Sequence, residues 1–267
     1  MDFRQIATDA AIKAGDHILR LREKLSLDQF VLGEDYKEGV RSLKARADTE
    51  SEAMILKSLQ KYFPTHAYLS EERGYESSYK SPEYTWIIDP LHDTIAYVRG
   101  NWSEFSIVIA LAMKKKIILG IIYQPVLKRL YIGMEGKGAT LNGKPIYVSS
   151  IQNSADSNMS IQHNALRYGD INIIVQLAHD VRRLYALGSA MFGELALGSV
   201  DIVLSYKQPL YDYAAASILV KEAGGIMSQL DGSPVPIVFD TIRRCNLVAT
   251  NRLLHKFILD KLKSDHS

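Results

Sequence analysis

The sequence predicts an α/β protein, and three observations carry that expectation. From Phe3 onward the apolar residues Ile6, Ala10, Ala14, Ile18, Leu21 and Leu25 recur at helical spacing, with Arg4, Lys13, Asp16 and Arg20 on other faces. Beyond Pro64 the texture changes to short β-prone runs separated by polar or glycine-containing turns. The second half then alternates helical and strand-like stretches, the pattern of helices laid on a sheet.

Each element has its own signal. A second helix is expected from Thr49, where Thr49 and Glu52 form a Thr-x-x-Glu capping box ahead of Ile55, Leu56 and Leu59, and it should stop near Pro64. Asp48 would then stand just before that helix. Residues 85–88, 105–111, 117–123 and 130–132 read as neighbouring strands of one sheet, with Lys114, Lys115 and Lys116 at a solvated hairpin tip. Residues 133–143 are turn-rich and lead to a strand over 145–149, with Gly136, Gly138 and Gly143 as turn residues. The polar stretch 150–160 is the expected seam between an N-terminal half, residues 1–150, and a C-terminal half, residues 151–267. In the latter, helices near 171–178 and 189–197 lead to a strand over 201–204, a helix from Asp212 that Gly224 and Gly225 stop, a strand over 247–250 and a last helix over 252–262.

Composition narrows the function classes. With 267 residues, 47% of them hydrophobic and 23% charged, the chain can bury a large core, so disorder and low-complexity readings fall away. The 32 Lys and Arg residues against 30 Asp and Glu leave a formal charge of +2, without the basic excess that a nucleic-acid polymer demands. The single cysteine, Cys245, forms neither an internal disulfide nor a multi-thiolate metal site and is expected to be an inert thiol. No run approaches the ~18 apolar residues that span a bilayer, and residues 1–5 read as helix and not as a secretion signal. The expectation is a soluble cytoplasmic protein with no membrane partner.

The chemistry is expected at acids placed where strands and loops end, because hard cations such as Mg²⁺ take carboxylate and carbonyl oxygens. Glu71 and Glu72 follow the run Ala67-Tyr68-Leu69, Asp89 follows Trp86-Ile87-Ile88, and Asp212 opens a helix after Pro209. Convergence of Glu71, Asp89 and Asp212 would itself call for a cation, since adjacent carboxylates repel. None of the other histidines, His17, His66, His163, His179, His255 and His266, has ligand spacing.

Longer motifs add a resemblance. Ser70-Glu71-Glu72, the run Trp86-Ile87-Ile88-Asp89-Pro90-Leu91-His92-Asp93-Thr94, the glycine-rich stretch 136–146, Tyr211-Asp212-Tyr213-Ala214-Ala215 and Glu222-Ala223-Gly224-Gly225 occur in the order found in the inositol monophosphatase family, and Ala47-Asp48 is similar to that family's earlier Ala-Asp motif. The resemblance covers nearly the whole chain. It implies a layered αβαβα sandwich, a homodimer, and a Mg²⁺-dependent, lithium-sensitive phosphomonoesterase for a small phosphorylated polyol, sugar or nucleotide. By that resemblance Glu71, Asp89 and the carbonyl of Leu91 would hold a first Mg²⁺, whose water Asp48 and Thr94 would orient for attack; Asp89 and Asp212 would hold a second one at the leaving oxygen. The phosphate would rest on the helix start at Asp93, Thr94 and Ile95.

The sequence also departs from the family pattern Asp-Pro-Ile/Leu-Asp-Gly-Thr. His92 stands where a metal-ligating Asp is expected and Asp93 where a Gly is expected. Imidazole suits Mn²⁺ or Zn²⁺ better than Mg²⁺, which predicts a weakened or re-tuned second site, and a Gly position calls for dihedrals that Asp tolerates less well. Ser205 takes the place of an inositol-binding Glu. Ser103, Glu104, Phe105 and Ser106 lean toward the nucleotide bisphosphate phosphatases of the same superfamily, with Lys207 placed to meet a second phosphate. These departures also admit an alternative, a catalytically weakened phosphatase-fold protein that binds ligands or regulates.

Overall fold

The computed structural model describes residues 2–24, 31–37, 40–100 and 104–263, with only the backbone for 31–37 and 40–44. Leu25, Ser103 and His266 lie outside the described residues. The chain runs α1 (Phe3–Lys24), β1 (Val31–Lys37), β2 (Val40–Ala45), α2 (Arg46–Tyr62), β3 (Ala67–Ser70), β4 (Gly74–Glu76), β5 (Tyr84–His92), α3 (Thr94–Arg99) and β6 (Ser106–Met113). It continues through β7 (Lys116–Gln124), β8 (Arg129–Met134), β9 (Gly138–Leu141), β10 (Lys144–Ile146), β11 (Asn158–Ile161), α4 (His163–Tyr168), α5 (Ile171–Asp180), β12 (Arg183–Ala186) and α6 (Met191–Ala196). The last elements are β13 (Ile202–Gln208), α7 (Leu210–Glu222), β14 (Ile226–Gln229), β15 (Cys245–Thr250) and α8 (His255–Lys263).

Two large sheets organise these elements. One has eight strands in the order β10-β9-β8-β7-β6-β5-β3-β4, antiparallel except for the parallel pair β3 and β5; the other has five, β12-β11-β13-β15-β14, with β11 parallel to both neighbours. Successive strand residues face opposite ways, so a strand buried on both sides feeds two cores. On β5 and β6, Trp86, Ile88, Ile107, Ile109 and Leu111 pack with α1 and α2, while Ile87, Val108, Ala110 and Ala112 pack with α6 and α7. On β13 and β15, Val203, Leu247 and Ala249 join that second core, while Ile202, Leu204 and Val248 face α4, α5 and α8. The layers are therefore α, β, α, β, α. Among the described residues no strand from 1–150 pairs with one from 151–267, yet α7 is shared.

Helix α7 is apolar nearly all round because it lies between two sheets. Its close approach needs glycine on the facing strands: a Cβ on Gly120 would stand 2.4 Å from the Ala215 carbonyl oxygen, and one on Gly133 2.6 Å from Leu219 Cα.

Several boundaries differ from the sequence expectation. Helix α2 begins at Arg46, three residues before Thr49, whose hydroxyl donates to the Arg46 carbonyl at 3.1 Å. The cap comes from inside the first turn, where Asp48 Oδ2 accepts the Ala45 N–H at 2.7 Å. Glu52 is buried and turns away to another loop. The strand expected over 145–149 ends at Ile146, since the Val148 N–H is drawn to the Ala223 carbonyl. Helix α7 starts at Leu210, so Asp212 sits in its first turn. The hairpin tip and the turn glycines stand as expected: Lys114 and Lys115 link β6 and β7, and Gly136, Gly138 and Gly143 all have positive φ. Cys245 is buried, with its Sγ 3.6 Å from the Tyr213 hydroxyl oxygen. No helix among the described residues is long and apolar enough to cross a membrane.

Candidate active site

Two strand-end bulges build one cleft. Between Asp89 and His92 the β5–β6 register slips by one residue, Asp89 lying opposite Val108 and His92 opposite Ser106. In a regular strand residues three apart face opposite sides; the extra residue at Pro90-Leu91 returns Asp89 and His92 to the same side. Across the cleft β13 slips between Ser205 and Gln208, and Lys207 in that bulge has φ +56°. The cleft between them has a volume of about 500 Å³ and is lined by Glu71, Asp89, Leu91, His92, Thr94 and Asp212, among others.

On the α2 side the groups are fixed by backbone. Asp48 is buried; its Oδ2 takes the Ala45 N–H at 2.7 Å and its Oδ1 takes the Thr94 hydroxyl at 2.8 Å. Thr94 Oγ1 is also 3.2 Å from the Leu91 carbonyl oxygen, but a hydroxyl has one hydrogen, and the closer carboxylate claims it. Leu91 O therefore keeps its lone pairs for another partner. Burial pushes the Asp48 carboxyl up to about 7, against the hydrogen bonds from Thr94 and Ala45 that pull it down. The Ser51 hydroxyl donates to the Pro90 carbonyl at 2.7 Å and ties this helix start to the β5 bulge.

At the other end Asp89, His92 and Asp212 converge. Asp89 is buried; its Oδ1 accepts the Leu91 N–H at 3.1 Å and its Oδ2 lies 2.8 Å from His92 Nδ1. Asp212 Oδ1 is 3.7 Å from the same ring nitrogen, an electrostatic contact longer than a hydrogen bond. Each of the three residues offers a ligand atom, and these atoms lie within 4.8 Å of one another. Burial pushes Asp89 up, opposed by the hydrogen bond from His92; burial alone would lower the imidazole, but Asp212 and Asp89 outweigh it and hold His92 well above its usual range.

The remaining sequence candidates divide. Asp93, Thr94, Ile95 and Lys207 all line the cleft. Asp93 has φ 68° and ψ 58°, the left-handed conformation expected of a Gly position, and its Oδ1 accepts the Ala96 N–H at 3.2 Å. It caps α3, a six-residue helix. Ser205 is fully buried behind Gln162, with its hydroxyl 2.9 Å from Gln162 Oε1, so it does not line the cleft and reaches it only through that amide.

The inositol monophosphatase family profile matches residues 2–267. The chain belongs to this family. It is 33% identical over 263 residues to inositol monophosphatase 3 of Solanum lycopersicum, covering 93% of this chain and 92% of that one. It is 31% identical over 242 residues to the fructose-1,6-bisphosphatase/inositol-1-monophosphatase of Aquifex aeolicus, covering 85% and 84%. Among solved structures, the Thermotoga maritima IMPase superposes with a TM-score of 0.84 at 26% identity, over 98% of this chain and 97% of that one. The fold is thus the layered α/β sandwich of the family, and the relatives are phosphoric monoester hydrolases.

Around this inositol monophosphatase-family cleft, Glu52 and Glu104 have roles that the sequence reading did not give them, and Gln162 and Arg244 are absent from it. Glu52, assigned there to a cap, is 2% exposed and accepts the Glu72 N–H at 3.2 Å and Arg73 Nε at 3.1 Å, which anchors the loop that carries Glu71. A carboxylate on the buried stripe of α2 was its available signal. Glu104 accepts the Gly188 N–H at 2.6 Å, and its carbonyl takes the Ser189 hydroxyl at 2.7 Å, so it joins the two halves across the cleft wall. Gln162 and Arg244 also line the cleft. Arg244 Nη1 is held by the Thr241 carbonyl at 2.6 Å. Neither carries a local motif, because their positions follow only from the packing of distant segments.

Proposed function

We propose that this protein is a divalent-cation-dependent phosphomonoesterase that hydrolyses a small phosphorylated polyol, sugar or nucleotide. The observation that carries the reading is that buried Asp48 holds the Thr94 hydroxyl from behind while Thr94, the Leu91 carbonyl and Asp89 line one cleft. An all-oxygen donor set of Glu71, Asp89 and the Leu91 carbonyl fits Mg²⁺. The set Asp89, His92 and Asp212 mixes in a nitrogen and fits only a softer ion, Mn²⁺ or Zn²⁺, and only if His92 gives up its bond to Asp89. When bound, the cation supplies Lewis acidity at the phosphoryl oxygens and at the attacking water.

The chain's own residues supply position and proton transfer. Because Thr94 donates its hydrogen to Asp48, its oxygen is left to accept one from a water, and the proton has a path through Thr94 to Asp48 Oδ1. A base raised to about 7 by burial is well matched to neutral pH. Lys207 and Arg244 add positive charge to the cleft beyond the acids, which favours a substrate with a second anionic group. The dual name of the Aquifex aeolicus relative makes a sugar bisphosphate a natural member of the test panel.

The test is release of inorganic phosphate from inositol 1-phosphate, fructose 1,6-bisphosphate and a nucleotide bisphosphate, with Mg²⁺ and again with a chelator. Cation-dependent turnover of at least one is expected. Near-zero rates that rise by orders of magnitude in His92→Asp/Asp93→Gly would instead favour the weakened, ligand-binding reading.

A further inference from the structure

We propose that the His92 imidazole takes the place of a second divalent cation, so that this chain holds one cation per active site. The inference rests on the phosphatase reading above and concerns what its altered motif does there. A cation bridging Asp89 and Asp212 would need an oxygen of each at about 2.1 Å. His92 Nδ1 lies in that gap, 2.8 Å from Asp89 Oδ2 and 3.7 Å from Asp212 Oδ1. When Asp89 is ionised its Oδ2 only accepts, so Nδ1 carries the hydrogen of their contact whether or not the ring is charged, and a nitrogen bearing hydrogen has no lone pair for a metal.

The arrangement is built into the backbone. The one-residue bulge at Pro90-Leu91 puts the ring on the same side as Asp89, and the Leu91 N–H on the other Asp89 oxygen holds that carboxylate against rotation. His92 is 12% exposed, so a substantial swing of its ring would have to displace packed neighbours. Asp93 does not restore the missing carboxylate. Its Oδ1 is spent on the Ala96 N–H, and its Oδ2 faces Gly188, where a Cβ would stand 2.9 Å from it. The position between Asp89 and Asp212 is thus filled by a fixed N–H donor, and the first position, at Glu71, Asp89 and the Leu91 carbonyl, is left to the cation.

The experiment counts Mn²⁺ bound per chain by calorimetry and by electron paramagnetic resonance of the free ion, with and without inorganic phosphate. One ion is expected for the wild type and two for His92→Asp/Asp93→Gly; His92→Ala, which removes the ring alone, is expected to admit a second, weaker ion. Nitrogen NMR of the wild type should keep the His92 Nδ1–H signal at saturating Mg²⁺. Two ions in the wild type, or loss of that hydrogen on Zn²⁺ addition, overturns the inference and leaves the phosphatase reading standing. One ion in both the wild type and the variants also overturns it, and no uptake by the wild type overturns both.

Discussion

Two acids serve the same cleft, Asp48 from behind Thr94 and Asp212 on its lining, yet they are held in different ways. At Asp48 both carboxylate oxygens are bound by groups of fixed position, the Ala45 N–H and the Thr94 hydroxyl, and the side chain is 1% exposed. At Asp212 the carboxylate stands near the cleft surface, 3.7 Å from the His92 ring. The difference teaches that a carboxylate braced on both oxygens is fixed before any ligand arrives, whereas the Asp212 end depends on the group that stands beside it.

The largest expected effect lies on the braced side. Asp48→Asn should lower kcat by about 10² to 10⁴-fold, the usual worth of a general base, with little change in substrate KM. Loss of wild-type activity as pH falls through about 7 should disappear in this variant, measured as a pH–rate profile. Thr94→Ala should lose nearly as much, while Thr94→Ser, which keeps the hydroxyl, should recover most of it.

A stability measurement sharpens the same comparison. Asp48 and Asp89 are raised by burial, so the native state binds protons that the unfolded chain has released; for Asp48 the resulting penalty grows as pH rises from about 4 to about 7, and Asp89 adds to it in the same direction. His92 is also raised, so the stability it contributes below its unfolded value is lost as pH rises through its higher folded value. All three have the same sign. Thermal melting in chelator should therefore fall from pH 5 to pH 8, and Mg²⁺ should reverse the fall; a metal-free melting temperature that rises over this range would contradict the pairing described.

Smaller effects are expected from positioning groups. Glu52→Gln is expected to weaken the grip on the 71–73 loop and to raise the Mg²⁺ concentration for half-maximal activity by about tenfold, as loss of a group that orients a ligand does. Ser205→Ala, which touches the cleft only through Gln162, should change KM by a few-fold and kcat hardly at all.

The layered fold was legible where one pattern dominates a long segment. The helical stripe of α1 and the apolar runs along β5, β6 and β7 mark those elements locally. The β12 and β14 strands were not legible, being short and only partly buried, and their place comes from pairing with distant partners. Acids at strand ends marked Glu71, Asp89 and Asp212 as candidates, because the bulge and the helix start that position them are local. Glu52 and Glu104 were out of reach, since each acts on a loop far along the chain. The same limit holds for Ser205, whose retreat behind Gln162 depends on how β13 and the start of α4 meet.

The measurement that bears most directly on the central reading is the rate of phosphate release by Asp89→Asn beside the wild type, with one hydrolysed substrate and saturating Mg²⁺. A buried carboxylate reached by both the Leu91 N–H and the His92 ring is expected to be indispensable, with activity falling by about 10³-fold or more, several kcal/mol of barrier. A variant that folds, melts like the wild type and keeps a rate within tenfold of it would contradict the account.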